Sequence, residues 1–232
     1  MSRIVLYGFP RSTYVNVVRL VLEHKGLAYD FHDLETEMGK PKHLALHPFN
    51  RVPVLAHGDF QLYETAAIIG YLDDAFPQSR LTPDDAQARG RMNQWISALN
   101  AYYYPYIVYH LGHERLVFPA LGIPADERVV AAAIPRINTA LDVMDAALAD
   151  GRPFLVGDAL TLADYALTPT MTSLSRSPEG QDLLQRRAHI VAWRQRMDAT
   201  PAVKTVMALV APHLDTPIEH ARAWPKWHRP RY

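Results

Sequence analysis

The chain has 232 residues, 49% of them hydrophobic, enough to close a core in one large domain or two small ones. Its 24 basic and 24 acidic residues balance to a formal charge of zero, which argues against nucleic acid or an anionic membrane as a partner, and no apolar run approaches the roughly 20 residues of a bilayer span. The absence of cysteine excludes disulfides, thiolate metal sites and a cysteine nucleophile, so any thiol chemistry must use a thiol carried in by a ligand.

Ile4 to Tyr7 reads as a first strand stopped by Gly8-Phe9-Pro10. This opening is too short to be a secretory segment, so a cytoplasmic location is expected. Val17, Val18, Val21 and Leu22 recur at helical spacing, and Lys25-Gly26 supplies a cation and a C′ glycine to end that helix. Tyr29 to Leu34 is a second strand, and strand–helix–strand at this length implies a parallel pair. His43 and His47 stand four apart without an intervening acid in a His-Glu-x-x-His pattern, so no metal is expected there. Val52 to Ala56 and Phe60 to Tyr63 flank His57-Gly58-Asp59 as a hairpin, and a helix starts at Thr65.

After Phe76-Pro77 the pattern turns helical. Thr82-Pro83-Asp84-Asp85 reads as a helix start, with Thr82 as N-cap and Met92, Trp95, Ile96 and Leu99 on one apolar face. Pro105 is expected to kink that helix. Val130 to Leu148 is a second long helix, Thr161-Leu162-Ala163-Asp164 has the form of a capping box, Ile190 to Met197 is amphipathic, and Thr200-Pro201 caps another helix. The fold class expected is α+β: residues 1–78 as a mixed four-stranded α/β domain, residues 82–212 as an all-helical domain, and 213–232 as a tail without assigned structure.

Val52-Pro53-Val54-Leu55 and Glu64-Thr65 carry the chemistry. A strand entered through a cis proline would turn the N–H and C=O of Val52 outward, where an extended peptide can add as a strand. The helix opening at Thr65 offers free N–H groups and a positive dipole end to a carboxylate, and Glu64 can accept from an ammonium. A γ-glutamyl group carries both charges.

Four stretches together resemble the cytosolic glutathione transferases: Tyr7-Gly8-Phe9-Pro10-Arg11-Ser12, His47 through Leu55, Leu62-Tyr63-Glu64-Thr65, and Leu155-Val156-Gly157-Asp158 leading into Thr161–Asp164. The likeness, to bacterial, serine-type, phi/theta-like members, spans residues 3–210. It implies a thioredoxin-like N-terminal domain, a helical bundle with an electrophile pocket, glutathione as cosubstrate, a hydrophobic electrophile and a homodimer. It also implies a cis Val52-Pro53 bond, glutathione held by Val52, Pro53, Glu64 and Thr65, and Ser12 as the hydroxyl bonded to the glutathione sulfur. Tyr7 and Tyr14 are the alternatives for that last role. Many bacterial members carry asparagine where Tyr14 stands. Lys40, Lys42 and His43 lie in the loop where relatives place the cation for the glycine carboxylate, and Lys42 and His43 are the residues expected to bind it. Arg51 either joins them or faces solvent, and Arg11 is a further cofactor contact. Tyr102, Tyr103, Tyr106, Tyr109 and His110 are candidates for the electrophile pocket, although Tyr102, Tyr106 and Tyr109 share a helical face that core packing would equally explain. Trp224 and Trp227 either close over that pocket or pack elsewhere. Arg11-Ser12-Thr13 lacks the Ser-Ser-Cys start of maleylacetoacetate isomerases, so that reaction ranks low. Conjugation leads, with peroxide reduction and dehalogenation as side activities. A non-catalytic glutathione-binding scaffold is the rival reading.

Overall fold

The computed structural model describes residues 2–223, so the expectations for Trp224 and Trp227 lie outside the described residues. The chain divides into two compact units, one from the residues up to Thr82 plus Thr200–Thr216, the other from Pro83–Ala199 plus the residues after Thr216.

The first unit opens with β1 (Ile4–Gly8), α1 (Thr13–His24) and β2 (Asp30–Asp33), followed by α2 (Pro41–Leu46), β3 (Val54–His57), β4 (Phe60–Tyr63) and α3 (Thr65–Ala75). The strands form one sheet in the order β2-β1-β3-β4, with β1 parallel to β2 and antiparallel to β3, and β3 antiparallel to β4. This is the mixed thioredoxin-like sheet expected from the strand–helix–strand start and the hairpin. Alternation places Ile4, Leu6 and Gly8 on a buried face. A Cβ at Gly8 would stand 2.3 Å from a Val15 methyl carbon, so glycine is what lets α1 close onto the end of β1. β3 begins two residues later than expected, since Pro53 has no N–H to give a ladder and Val52 falls outside the pairing. Helix α2 occupies a stretch that sequence reading treated as loop.

Helix α9 (Pro201–Val210), capped by Thr200, belongs to this first unit and packs on α1. The expected helical domain of residues 82–212 had included it. Its buried Ala202, Val203, Val206 and Val210 form a stripe at helical spacing, and a stripe says only that a face is covered, not by what. The unit ends in a buried ionic lock. Lys25 Nζ lies 2.7 Å from Asp73 Oδ1 and donates to the Phe76 and Gln78 carbonyls, while Asp73 accepts from the amides of Leu81 and Thr82. Burial pushes the Asp73 carboxyl up, but Lys25 and the two amides outweigh it and hold it below the ordinary carboxylate range. Thr82 is therefore part of this lock, and the N-cap of the next helix is Asp85, whose carboxylate accepts from the Ala88 amide at 2.8 Å.

The second unit is helical: α4 (Ala86–Ala98), α5 (Glu127–Leu148), α6 (Leu162–Leu174), α7 (Pro178–Gln185) and α8 (Ala188–Ala199). Beyond α4 the chain continues through Leu99–Tyr103 and Pro105–Val117 in wider turns, with the Tyr104 amide bonded to the Leu99 carbonyl and the Phe118 amide to that of His113, five residues back. The donor that Pro105 lacks thus falls within a stretch wound by i→i+5 bonds rather than in a regular i→i+4 ladder. The capping box at Thr161 forms as expected and does more. Asp164, fully buried, accepts from the Leu155 and Thr161 amides, the Thr161 hydroxyl and the Trp193 indole, tying the 155 loop and α8 to the start of α6. Sequence reading did not place a helix at α7. Its Ser177 cap and Pro178 at N1 are the local signals for one.

Candidate active site

Register brings the candidate residues to one end of the sheet. Tyr7 of β1 pairs with Val54 of β3, Val54 pairs with Tyr63 of β4, and Tyr7 also pairs with His32 of β2. That single row makes Ser12, Val52, Glu64-Thr65 and Glu35 all belong to segments joining the sheet at the same edge, although they are far apart in sequence.

Ser12 is buried and caps α1, its Oγ accepting from the Val15 amide at 3.3 Å. That bond uses a lone pair and leaves the hydroxyl proton to donate elsewhere. Tyr7 packs its ring against His32, with centroids 5.3 Å apart and the planes tilted by 50°. Tyr14 lies in the first turn of α1, half-buried. Arg19, two turns along from Ser12, is buried over the Phe31 ring at 3.9 Å, and burial pushes its guanidinium pKa down. Arg11 is paired with Glu35, and its side chain is almost wholly covered. Its charge is thus committed to a protein carboxylate, which differs from the direct cofactor contact expected of it. Burial pushes the Glu35 carboxyl up against the pull of Arg11.

Val52-Pro53 is cis. Among the described residues neither the N–H nor the C=O of Val52 has a hydrogen-bond partner, although the residue is half-buried. Glu64 follows the end of β4 with φ 74° and ψ 112°, a left-handed backbone uncommon for glutamate, and it is exposed with no capping bond from its side chain. Thr65 opens α3, whose first turn contains no acidic residue. The free amides there face no local carboxylate, which keeps them available to an anion.

The loop before β3 differs from expectation. His43 is fully buried, with Nδ1 accepting from the Gly39 amide at 3.1 Å and Nε2 lying 2.9 Å from the Arg51 carbonyl oxygen. Both ring nitrogens are consumed within the protein, so His43 is not the cation expected for a ligand carboxylate. Lys40, Lys42 and Arg51 are exposed. The Gly39–His43–Arg51 connection was missed because α2 was missed; Pro41 at its first turn was the available signal.

In the second unit the five aromatic candidates part company. Tyr103 is core: its hydroxyl donates to the Ala140 carbonyl at 2.7 Å, and burial pushes its pKa up. Tyr102 is 64% exposed, whereas Tyr106 and Tyr109 are half-buried, so the common face expected from a 3.6-residue period is broken by the wider winding. His110 is buried edge-on to Tyr106, and burial pushes its pKa down to about 4, so its imidazole is neutral at physiological pH.

A backbone edge unpaired among the described residues, a helix N-terminus and a helix capped by a serine hydroxyl thus lie at one end of the sheet. Residues 6–80 match the model of the glutathione S-transferase N-terminal domain, and residues 95–201 match that of its C-terminal domain. The chain is 34% identical to glutathione S-transferase 3 of Zea mays over 91% of its own length and 97% of that protein's, and 30% identical to glutathione S-transferase F10 of Arabidopsis thaliana over 82% and 89%. Among solved structures, glutathione S-transferase III in its apo form superposes with a TM-score of 0.82 at 33% identity, covering 90% of this chain and 97% of that one. Maize glutathione S-transferase I in complex with an atrazine glutathione conjugate also superposes with a TM-score of 0.82, at 27% identity, covering 91% and 100%. The chain belongs to the glutathione S-transferase family.

Proposed function

We propose that the sheet end binds glutathione and that Ser12 stabilises its thiolate for attack on a hydrophobic electrophile. The observation that supports this is the N–H and C=O of Val52, unpartnered among the described residues, beside the cis bond and at the same end of the sheet as Ser12 and Thr65. An extended cysteinyl backbone adds there as an antiparallel strand would, exchanging two hydrogen bonds with one residue. Pro53 shapes that edge without a donor of its own. The γ-glutamyl carboxylate accepts from the first amides of α3 and from the Thr65 hydroxyl, and exposed Glu64 takes the ammonium. Lys42 and Arg51, both exposed, are the cations for the glycine carboxylate, with Lys40 beside them.

The Ser12 hydroxyl, its oxygen occupied by the Val15 amide, donates to the sulfur. A free thiol titrates near 8.5, and a shift of about two units needs about 2.7 kcal/mol in favour of the thiolate. One hydroxyl donor to an anion plus the N-terminus of α1 supplies that order of energy. The hydroxyl at position 12 favours an enzyme over a non-catalytic scaffold, and it supports reading this chain as a serine-type member. The relatives named above are plant proteins, so the bacterial part of the expected likeness is not carried forward. Tyr106 and Tyr109, with Tyr102, are proposed to meet the electrophile, and neutral His110 backs Tyr106. The glutathione conjugate in the maize relative supports conjugation as the leading reaction, and detoxification as its use. A cytoplasmic homodimer completes the reading. Among the described residues no helix is long and apolar enough to cross a membrane.

Calorimetric titration with reduced glutathione tests the cofactor half. Thr65→Val is expected to weaken binding about tenfold, the effect of losing one hydrogen bond to a charged group. Absence of binding heat in the unmodified protein would refute the assignment.

A further inference from the structure

His43 is a buried histidine with a single workable protonation state. The Gly39 amide points its hydrogen at Nδ1, so Nδ1 must offer a lone pair. A neutral imidazole with a bare Nδ1 carries its proton on Nε2, and that proton is donated to the Arg51 carbonyl 2.9 Å away. Gly39 meets this bond with φ +77°, a conformation that favours glycine, and its α-carbon faces the Asn50 side chain. The ring thus ties the start of α2 to the residue before Val52 across eight positions.

The consequence follows from peptide geometry. Arg51 and Val52 share one trans peptide unit, in which the C=O and the N–H point in opposite directions. Holding the Arg51 oxygen inward on a fully buried imidazole therefore holds the Val52 N–H outward. Among the described residues that N–H has no partner. A donor on the carbonyl also polarises the same peptide, strengthening its N–H as a donor.

We propose that His43 is the positioning residue of the peptide-binding edge: as the neutral Nε2–H tautomer it fixes the Arg51–Val52 peptide plane so that the Val52 N–H meets the ligand's main-chain carbonyl. The role rests on the reading of this edge as the glutathione site. It is distinct from that of the exposed cations, since His43 touches neither ligand nor solvent. It acts on binding of the peptide and leaves the hydroxyl that meets the sulfur in place.

His43→Leu and His43→Gln test it. Glutamine retains an amide donor for the Arg51 carbonyl and an oxygen for the Gly39 amide, whereas leucine retains neither. His43→Leu is expected to raise the glutathione KM about tenfold, the effect of about 1.4 kcal/mol, with kcat at saturating glutathione and the electrophile KM within about twofold of the unmodified enzyme. His43→Gln is expected to restore most of the glutathione KM. An unchanged KM in His43→Leu, an equal loss in both variants, or a fall in kcat at saturation would overturn the proposal. Should His43→Leu fail to fold, long-range proton–nitrogen spectra of the unmodified protein decide it. A bare Nδ1 with protonated Nε2 supports the clamp, and either the opposite tautomer or a doubly protonated ring at neutral pH overturns it. Failure of the unmodified protein to bind glutathione would overturn the functional reading instead, with the tautomer still as described.

Discussion

Replacing Ser12 separates two jobs done by one oxygen. In Ser12→Ala the cap on the Val15 amide disappears together with the donor to the sulfur. The cap bond is long, at 3.3 Å, which puts its loss at the lower end of the usual range, about 0.5–1 kcal/mol. In a chain of 232 residues that lowers Tm by about 1–4 °C. The donor acts on an anion in a buried setting, where such bonds contribute about 1.5–3 kcal/mol. Divided by 1.36 kcal/mol per unit, the pKa of bound glutathione should rise by about 1–2 units. Turnover below that pKa should then fall about tenfold to a hundredfold, while the dissociation constant of the protonated thiol stays within about twofold. Ultraviolet difference titration of the complex reads the thiolate directly, and calorimetry reads the affinity. Ser12→Gly provides the control: glycine caps a helix within a few tenths of a kcal/mol of serine, so it should leave Tm nearly unchanged and still raise the thiol pKa. An unchanged thiol pKa in both variants would show that the hydroxyl does not meet the sulfur.

Three further outcomes follow from buried groups away from that oxygen. Lys25→Met leaves the buried Asp73 carboxylate without its cation, held by the Leu81 and Thr82 amides, and should cost about 3–5 kcal/mol in denaturant unfolding, whereas a loss under about 1 kcal/mol would mean the lock is dispensable. Gly180→Ala would place a Cβ 1.9 Å from the Leu174 carbonyl oxygen, a backbone atom that cannot swing aside, so Tm should fall by several degrees, and a wild-type Tm would contradict this close approach of α7 to α6. His110 has its pKa pushed down to about 4 by burial, from an ordinary 6.5. Between those values the unfolded chain binds the proton and the folded chain does not, so stability is fully present above pH 6.5 and falls by about 3 kcal/mol as pH drops toward 4. His110→Gln should flatten the stability profile over that window, and an unchanged slope would show that the imidazole titrates normally.

Much of the first unit was legible because its signals are short-range. Gly8-Phe9-Pro10 ends a strand, Lys25-Gly26 ends a helix, and His57-Gly58-Asp59 turns a hairpin, each through the conformational limits of a few adjacent residues. The Thr161 capping box was legible for the same reason, although its capture of Trp193 was not. Two misses were also local. Asp85 outcompeted Thr82 as a cap because Thr82 is drawn to Asp73, and the helix beyond α4 widened to i→i+5 bonds where regular turns had been expected. That same widening parted Tyr102 from Tyr106 and Tyr109, whose shared face presumed 3.6 residues per turn.

The sequence alone determined the order of the four strands and of the long helices, since backbone propensity, capping and turn chemistry are written in neighbouring residues, while the cis bond at Val52-Pro53 was implied by the family resemblance rather than by the dipeptide itself. Only the tertiary structure decided which charges remain free for a ligand. His43 is spent on Gly39 and Arg51, Arg11 is spent on Glu35, and α9 returns to cover α1. Such partnerships join residues distant along the chain, and a buried donor, acceptor or charge takes whichever partner the fold brings within reach, because leaving it unpaired costs more than the choice of partner does.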